Sequence, residues 1–400
     1  MRGDRSLGLS VGAAHALVHA AELTYAALLS RLGAEFGAGL LGLGVVANVG
    51  AFAYGFGALP AGVLVDRWGS RLMLRVTFLG AAAGALGVAA APSVEALAGA
   101  LALLGLAIGL YHPAGMAYLA QAARERGTAM AYHGVMGNLG IAAAPVAAVG
   151  VAEALGWRWA YVLLALLAVV AALLVRWLPA ARPVRDAAPP EAGGGRGWGH
   201  LAVPLLLTYA AYVLSGFVYR GGLTFLPLRI EENVGFSLLG VEAAVVAASF
   251  ATAALLCGAV GQILGGRLMR GRPPEQVVLP LVLALLPALA FTGALTGPAV
   301  VAAGGAFTFS YFAAQPVWNV LIAEYTPDHL MGRSFGVSFF ATFGLGSFAA
   351  SFAGYFAERW GTDAVFYALA GASLITAVLA AALLGLAVRR GRAPAAAEAA

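Results

Sequence analysis

Apolar residues in this sequence do not recur at the spacing of one buried face; they fill whole stretches. Runs of Ala, Leu, Val, Gly and Phe, about 20 residues or longer, alternate with short pieces that hold most of the Arg, Pro, Asp and Glu. A helix that is apolar all round must be buried or lie in hydrocarbon. The runs predict helices over 9–32, 39–65, 71–92, 95–121, 128–152, 157–178, 201–227, 237–266, 275–295, 298–323, 333–356 and 363–388. At 1.5 Å per residue each can cross roughly 30 Å of hydrocarbon. The expected fold is an all-α membrane protein with twelve transmembrane helices.

Composition agrees. Of the 400 residues 62% are hydrophobic and 10% charged, against about 25% charged in a soluble domain. In water so much apolar side chain would leave large exposed patches. The net charge of +5 is scattered between apolar runs without a basic face, so no nucleic-acid partner is expected. All 23 basic residues are Arg, which with the Ala/Gly richness reads as a coding bias. The single Cys257 allows no internal disulfide and reads as a small packing residue. Met1-Arg2-Gly3-Asp4-Arg5 before an apolar run has the outline of a signal peptide, but His15, His19 and Glu22 and the run's length mark a retained first span.

With both termini in the cytoplasm, 18 arginines fall on the inner side, four (Arg31, Arg158, Arg229, Arg359) on the outer side, and Arg220 inside a span. This positive-inside bias predicts a multi-pass inner-membrane protein, expected to be a monomer with the lipid bilayer as its partner.

Residues 179–200, from Pro179-Ala180-Ala181-Arg182-Pro183 to Gly193-Gly194-Gly195, predict a solvated cytoplasmic linker. It divides six-helix bundles at 1–178 and 201–388, with a tail at 389–400. A weak repeat supports the division. The segment from Gly150 to Tyr161 resembles that from Gly354 to Tyr367, and Leu139-Gly140 aligns with Leu345-Gly346, both at an offset of about half the chain.

Between the second and third spans runs Gly62-Val63-Leu64-Val65-Asp66-Arg67-Trp68-Gly69-Ser70-Arg71. Gly62 lets helices approach closely, Asp66 can face a helix N-terminus, and Arg67 and Arg71 offer partners for a latch between the halves. The segment resembles the G-x-L-x-D-R-x-G-R-[RK] loop of the major facilitator superfamily, and Gly62, Asp66, Arg67, Gly69 and Arg71 would be its gating residues. The resemblance implies two six-helix bundles that rock about a central cavity lined by spans one, four, seven and ten. In the second half, Gly261 to Arg270 keeps glycines and arginines but has no acid before Glu275. The fifth span carries Gly134, Gly137, Gly140 and Pro145, with Ala144 where a drug antiporter would have Gly, and Leu101 stands near the place of that group's fourth-span arginine. His15-Ala16-Leu17-Val18-His19-Ala20-Ala21-Glu22 and Tyr111-His112-Pro113-Ala114-Gly115 look like elements of fosmidomycin-resistance-type transporters, with Ala114 replacing a Glu. That likeness implies efflux of small, anionic compounds.

A charge at the bilayer centre costs at least about 2.5–3.5 kcal/mol, so each such group needs a partner or a cavity. His15, His19 and Glu22, four and three apart, share one helix face. They read as a proton-coupling site or as a hydrogen-bond network between helices. His112 precedes Pro113, which breaks the fourth helix and frees backbone carbonyls; it is expected to serve proton or substrate, with His133 as its structural hydrogen-bond partner. Arg220, about two turns from the outer end of span seven, is expected either to bind an anionic substrate or to pair with Glu242. Gln315, Trp318 and Asn319 of span ten offer polar contacts and a stacking surface, though packing is an equal reading of Trp318. Tyr219 and Asn48 are weaker substrate candidates. Trp157, Trp159 and Trp177 read as interfacial anchors.

No P-loop, zinc-ligand spacing or nucleophile elbow occurs, so no enzyme activity, cofactor or metal is expected. Uphill transport would draw on an ion gradient, protons first. The leading expectation is a proton-coupled exporter of small organic compounds. The alternatives are proton-coupled uptake of an organic anion such as a carboxylate and a non-transporting receptor of the same fold.

Overall fold

The computed structural model describes residues 2–124, 126–179, 199–238, 240–326 and 331–391. The linker expected at 179–200 and the tail at 389–400 lie mostly outside these residues. Among the described residues twelve helical rods follow one another. They are α1 (Arg2–Ala27), α2 (Leu40–Trp68), α3 (Ser70–Ala89), α4 (Val94–Gly109 and Tyr111–Ala122, broken at Leu110), α5 (Arg126–Leu155), α6 (Trp157–Leu174), α7 (Gly199–Asn233), α8 (Ala243–Leu268), α9 (Pro274–Ala294), α10 (Ala299–Tyr325), α11 (Met331–Phe339 and Phe348–Trp360, joined through a π-helical turn and one 3₁₀ turn) and α12 (Thr362–Arg389). A short helix, Leu29–Phe36, continues the first span.

Among the described residues, ten rods are long and apolar enough to cross a membrane. The remaining two, α1 and α10, have the length, at 26 and 27 residues. They fall short in hydropathy because they carry the histidines and Glu22 and the Gln315–Asn319 group. Outward faces are apolar: Leu166, Val170 and Leu173 of α6 and Ile375 and Val378 of α12 are exposed. Such faces suit hydrocarbon, where helices satisfy their own backbone groups.

Glycines set how closely the rods pack. A Cβ on Gly140 of α5 would lie 2.1 Å from the Ala16 carbonyl oxygen of α1, and one on Gly346 of α11 would lie 2.8 Å from the Gly216 carbonyl carbon of α7. These matched contacts fall on the Leu-Gly pairs of the sequence repeat. The turn glycines repeat too: Gly156 (φ 96°) leads into α6 and Gly361 (φ 97°) into α12, a backbone region that only glycine adopts without strain.

Several boundaries shift from expectation, the first helix starting at Arg2 and not at 9, and two of the shifts bear on the site. Helix α7 runs through Pro227 to Asn233, because a membrane helix tolerates proline where its neighbours re-satisfy the freed carbonyl. Arg220 is therefore deeper than two turns from its end. Helix α8 starts at Ala243, after a turn closed by a Leu238–Val241 bridge, and Glu242 is an exposed helix-start residue.

Candidate functional site in the centre of the bundle

The polar face of α1 turns inward, as its cost in lipid requires. His15 is 8% and His19 7% exposed, and the Glu22 side chain 4%. His15 reaches α5: its Nδ1 lies 2.9 Å from the His133 carbonyl oxygen. Since a carbonyl only accepts, that nitrogen carries the proton and Nε2 keeps its lone pair. The rings of His15 and His133 stack at 4.0 Å. Space for the His15 ring comes from Gly137, where a Cβ would lie 2.4 Å from Cε1; nothing approaches Gly134 in the same way.

Helix α4 breaks at Leu110, beside Pro113, and its second part opens with Tyr111 and His112. The Tyr111 hydroxyl donates to the Val11 carbonyl at 2.7 Å, so His133 Nε2, at 3.1 Å, donates to it. His133 thus serves Tyr111 and not His112, which corrects the pairing expected from sequence; with both histidines at similar depth, depth alone could not choose between neighbours. The His112 ring meets His15 edge-on at 5.0 Å and stacks on Phe339 at 5.4 Å. Its Nε2 is buried without a partner. The donor nitrogens of His15, His19 and His112 all lie within 4.8 Å of one another, so this group could hold a metal ion.

Glu22 is where the two halves join. Its carboxylate accepts from Arg220 Nη2 of α7 at 2.5 Å and from His19 Nδ1 at 2.8 Å, and the Tyr219 hydroxyl stands at 3.5 Å. The Arg220–Glu242 pair considered from sequence is not formed: Arg220 pairs with Glu22, 198 positions away. Sequence reasoning missed this pair because no local spacing links α1 to α7; only the inward face of each was visible. Around it, Arg220 Nε and the Tyr54 hydroxyl are buried without partners. Tyr54 was not singled out in the sequence, where it reads as one more aromatic in an apolar run. A cavity of about 50 Å³ touches Glu22, Tyr54 and Arg220, room for a water or two and too small for an organic solute.

The span-ten candidates lie apart. Trp318 is 1% exposed and packs with Tyr212, Val278 and Val282 in a core of the second half, the packing alternative. Asn319 accepts from the Tyr212 hydroxyl at 2.9 Å. Gln315 accepts from Gln262 at 3.4 Å, and Gln262 also bonds Asn138 of α5 across the halves. Asn48 accepts from Ser347 of α11 at 2.7 Å. A second cavity, about 920 Å³, lies among α1, α3, α5 and α6. Its lining, with Leu17, Phe78, Ala144 and Leu164, is apolar, and it holds none of the histidines.

The halves close on one side of this centre. At the ends away from the Gly62–Arg71 loop, Ser30 bonds Glu231 at 3.0 Å, the Leu41 amide bonds Glu358 at 2.9 Å, and Arg31 lies 3.9 Å from Glu231. Helix α2 meets α11 backbone to backbone, with Gly44 facing the Ala350 carbonyl and Gly55 the Gly344 amide. At the other end Gly62 has nothing within 4 Å of a Cβ, and Asp66, Arg67 and Gly69 are exposed. The close approach expected at Gly62 is absent from this arrangement. Arg71 is held within the first half, on the Arg176 carbonyl at 2.8 Å.

Residues 11–351 match the sequence model of the Major Facilitator Superfamily. No curated protein matches the chain. Solved structures share the fold. An inward-open xylose transporter from E. coli is similar with a TM-score of 0.73 at 14% identity, covering 95% of this chain and 96% of that one. A peptide transporter in complex with sulfate gives 0.78 at 15%, with 96% and 95% covered. A bacterial homolog of the human lysosomal transporter Spinster, inward-facing and unoccupied, gives 0.69 at 14%, with 96% of each chain covered.

Proposed function

This chain belongs to the Major Facilitator Superfamily, and we propose that within it the chain takes up a small organic anion together with a cation, protons being the cation expected. The observation that carries the proposal is the Glu22–Arg220 pair, which ties the first helix of one half to the first helix of the other at 2.5 Å. Rocking of one bundle against the other has to break it. A buried charge stripped of its partner costs about 3–5 kcal/mol, so Arg220 leaves Glu22 only for another anion. A substrate carboxylate fits, with Arg220 Nε, the Tyr54 hydroxyl and the Tyr219 hydroxyl as further donors around it. Glu22 is then left with His19 alone, and a cation must arrive to balance it.

Anion and cation are therefore bound together, which is the logic of a symporter. Export by exchange requires the two to exclude each other, as when a cationic solute displaces a proton from a carboxylate; Arg220 already occupies that place. In this reading His15, His19, Glu22 and His112 receive the cation's charge, Arg220 and Tyr219 the anion, and Gln315 and Asn319 border the path when the halves part. With the arginine-rich loops inside, the arrangement is inward-facing, and Gly62, Asp66, Arg67, Gly69 and Arg71 form the latch of the opposite state.

The test is uptake of a panel of radiolabelled mono- and dicarboxylates into proteoliposomes. One acid should accumulate above equilibrium when the outside is acidic, and Arg220→Gln should reduce its accumulation to that of empty liposomes. Accumulation by Arg220→Gln equal to the wild type, or solute leaving against its gradient as protons enter, would overturn the proposal.

A further inference from the structure

The three histidines carry a feature that accepting a single proton does not require. His15 Nδ1 is committed to the His133 carbonyl and His19 Nδ1 to the Glu22 carboxylate. Both acceptors fix the proton on Nδ1 and leave an Nε2 lone pair. His15 Nε2 and His112 Nε2 are buried and partnerless, although buried polar atoms are almost always paired. Three imidazoles whose donor atoms lie within 4.8 Å of one another, two of them oriented from behind by a carbonyl and a carboxylate, reproduce the arrangement around protein-bound transition metals. There a ligating histidine gives its other N–H to such a group, which fixes the ring and raises its basicity.

We propose that His15, His19 and His112 form an intramembrane site for one divalent transition-metal ion of the zinc, nickel or cobalt class. Imidazole donors select these ions over magnesium, calcium or manganese. Tetrahedral zinc with Zn–N bonds of about 2.0–2.1 Å needs its nitrogens roughly 3.3 Å apart, so the widest separation closes by about 1.5 Å. His112 stands two residues past the break at Leu110, where the helix can give. Three protein ligands leave the fourth position open for water or a ligand atom of a solute. Gly137 is part of the site, since a Cβ there would displace the His15 ring. The histidines come from two helices almost a hundred residues apart, so no sequence spacing announces the site. The proposal does not depend on which anion is carried, or on whether one is.

The test uses full-length protein purified in detergent through a tag without histidine. Isothermal titration with ZnCl₂, NiCl₂ and MgCl₂ should show one equivalent of zinc or nickel bound at about micromolar or tighter and no saturable magnesium. X-ray absorption of the zinc-loaded wild type should show three nitrogen scatterers near 2.0 Å, a reading that needs no variant. His15→Gln and His112→Gln should each weaken zinc binding at least 100-fold. Glu22→Gln, which removes an orienting group, should weaken it about 10–100-fold. A control with His200→Gln and His329→Gln together should bind as the wild type does. No saturable zinc by the folded wild type, an absorption spectrum of oxygen ligands only, or unchanged binding by the His15→Gln/His112→Gln double variant would overturn the proposal. Absence of carboxylate uptake by a wild-type protein that binds zinc would count against the transport reading alone.

Discussion

Breaking the Glu22–Arg220 pair is the perturbation whose size the structure defines best. The Glu22 carboxylate has two close donors, Arg220 Nη2 at 2.5 Å and His19 Nδ1 at 2.8 Å, and its side chain is 4% exposed beside a 10% exposed Arg220 side chain. Arg220→Met leaves a carboxylate held by one imidazole, and Glu22→Gln leaves a guanidinium with no counter-ion. Each single change should cost about 3–5 kcal/mol, mostly the penalty of an uncompensated buried charge. With both charges removed, apolar packing and the remaining neutral hydrogen bonds should restore most of the loss, because a buried pair is weakly stabilising as a whole. The double variant should therefore be less destabilised than the sum of the singles by at least about 3 kcal/mol, a hundredfold in the unfolding constant. Reversible unfolding in mixed detergent–SDS micelles measures the cycle. Additivity within about 0.5 kcal/mol would refute the reasoning, since it would mean the two groups do not share a low-dielectric site.

Other consequences follow from single contacts. Gly137→Ala places a Cβ 2.4 Å from His15 Cε1 and should destabilise by about 1–3 kcal/mol, whereas Gly134→Ala, with open space around it, should change stability by under about 0.5 kcal/mol; thermal unfolding of both decides. Ser30→Ala with Glu231→Gln removes contacts that hold the closed end and should raise labelling of a cysteine at Leu43, 1% exposed in the closed end, by a membrane-impermeant maleimide; an unchanged rate would remove these groups from the gate. Gly361→Ala forces a side chain to φ 97° and should cost at least about 1 kcal/mol, and Gly156→Ala the same, as matched turns demand. A loss at only one of them would end their equivalence.

The rods were legible because hydrocarbon imposes a simple rule, and only their edges moved. Pro227 looked like a stop and is not, since a membrane helix tolerates it. The inward face of α1 was legible from three polar residues at helical spacing, and the break before His112 from Pro113. Contacts between helices were not. Arg220 had an acid nearby in sequence and chose one from the other half. Trp318 looked deep enough to meet a solute and is deep because it fills a core. Convergence of His112 on His15 and His19 depends on how α4 crosses α1, which Gly105 and Gly109 set by letting α4 lie against the α2 backbone at Gly50 and Tyr54. Those glycines are indistinguishable in sequence from the many others.

The central claim is that the halves rock about the Glu22–Arg220 centre, closed now at one end and able to close at the other. Spin-label distances in liposomes test it most directly, on a Cys257→Ser background, with one label pair at Gly42 and Arg359 and another at Gly62 and Val337. Under an acid-outside gradient with a transported acid, the Gly42–Arg359 distance should gain a longer population while the Gly62–Val337 distance gains a shorter one. Both distances staying fixed, or both changing in the same sense, would contradict the account.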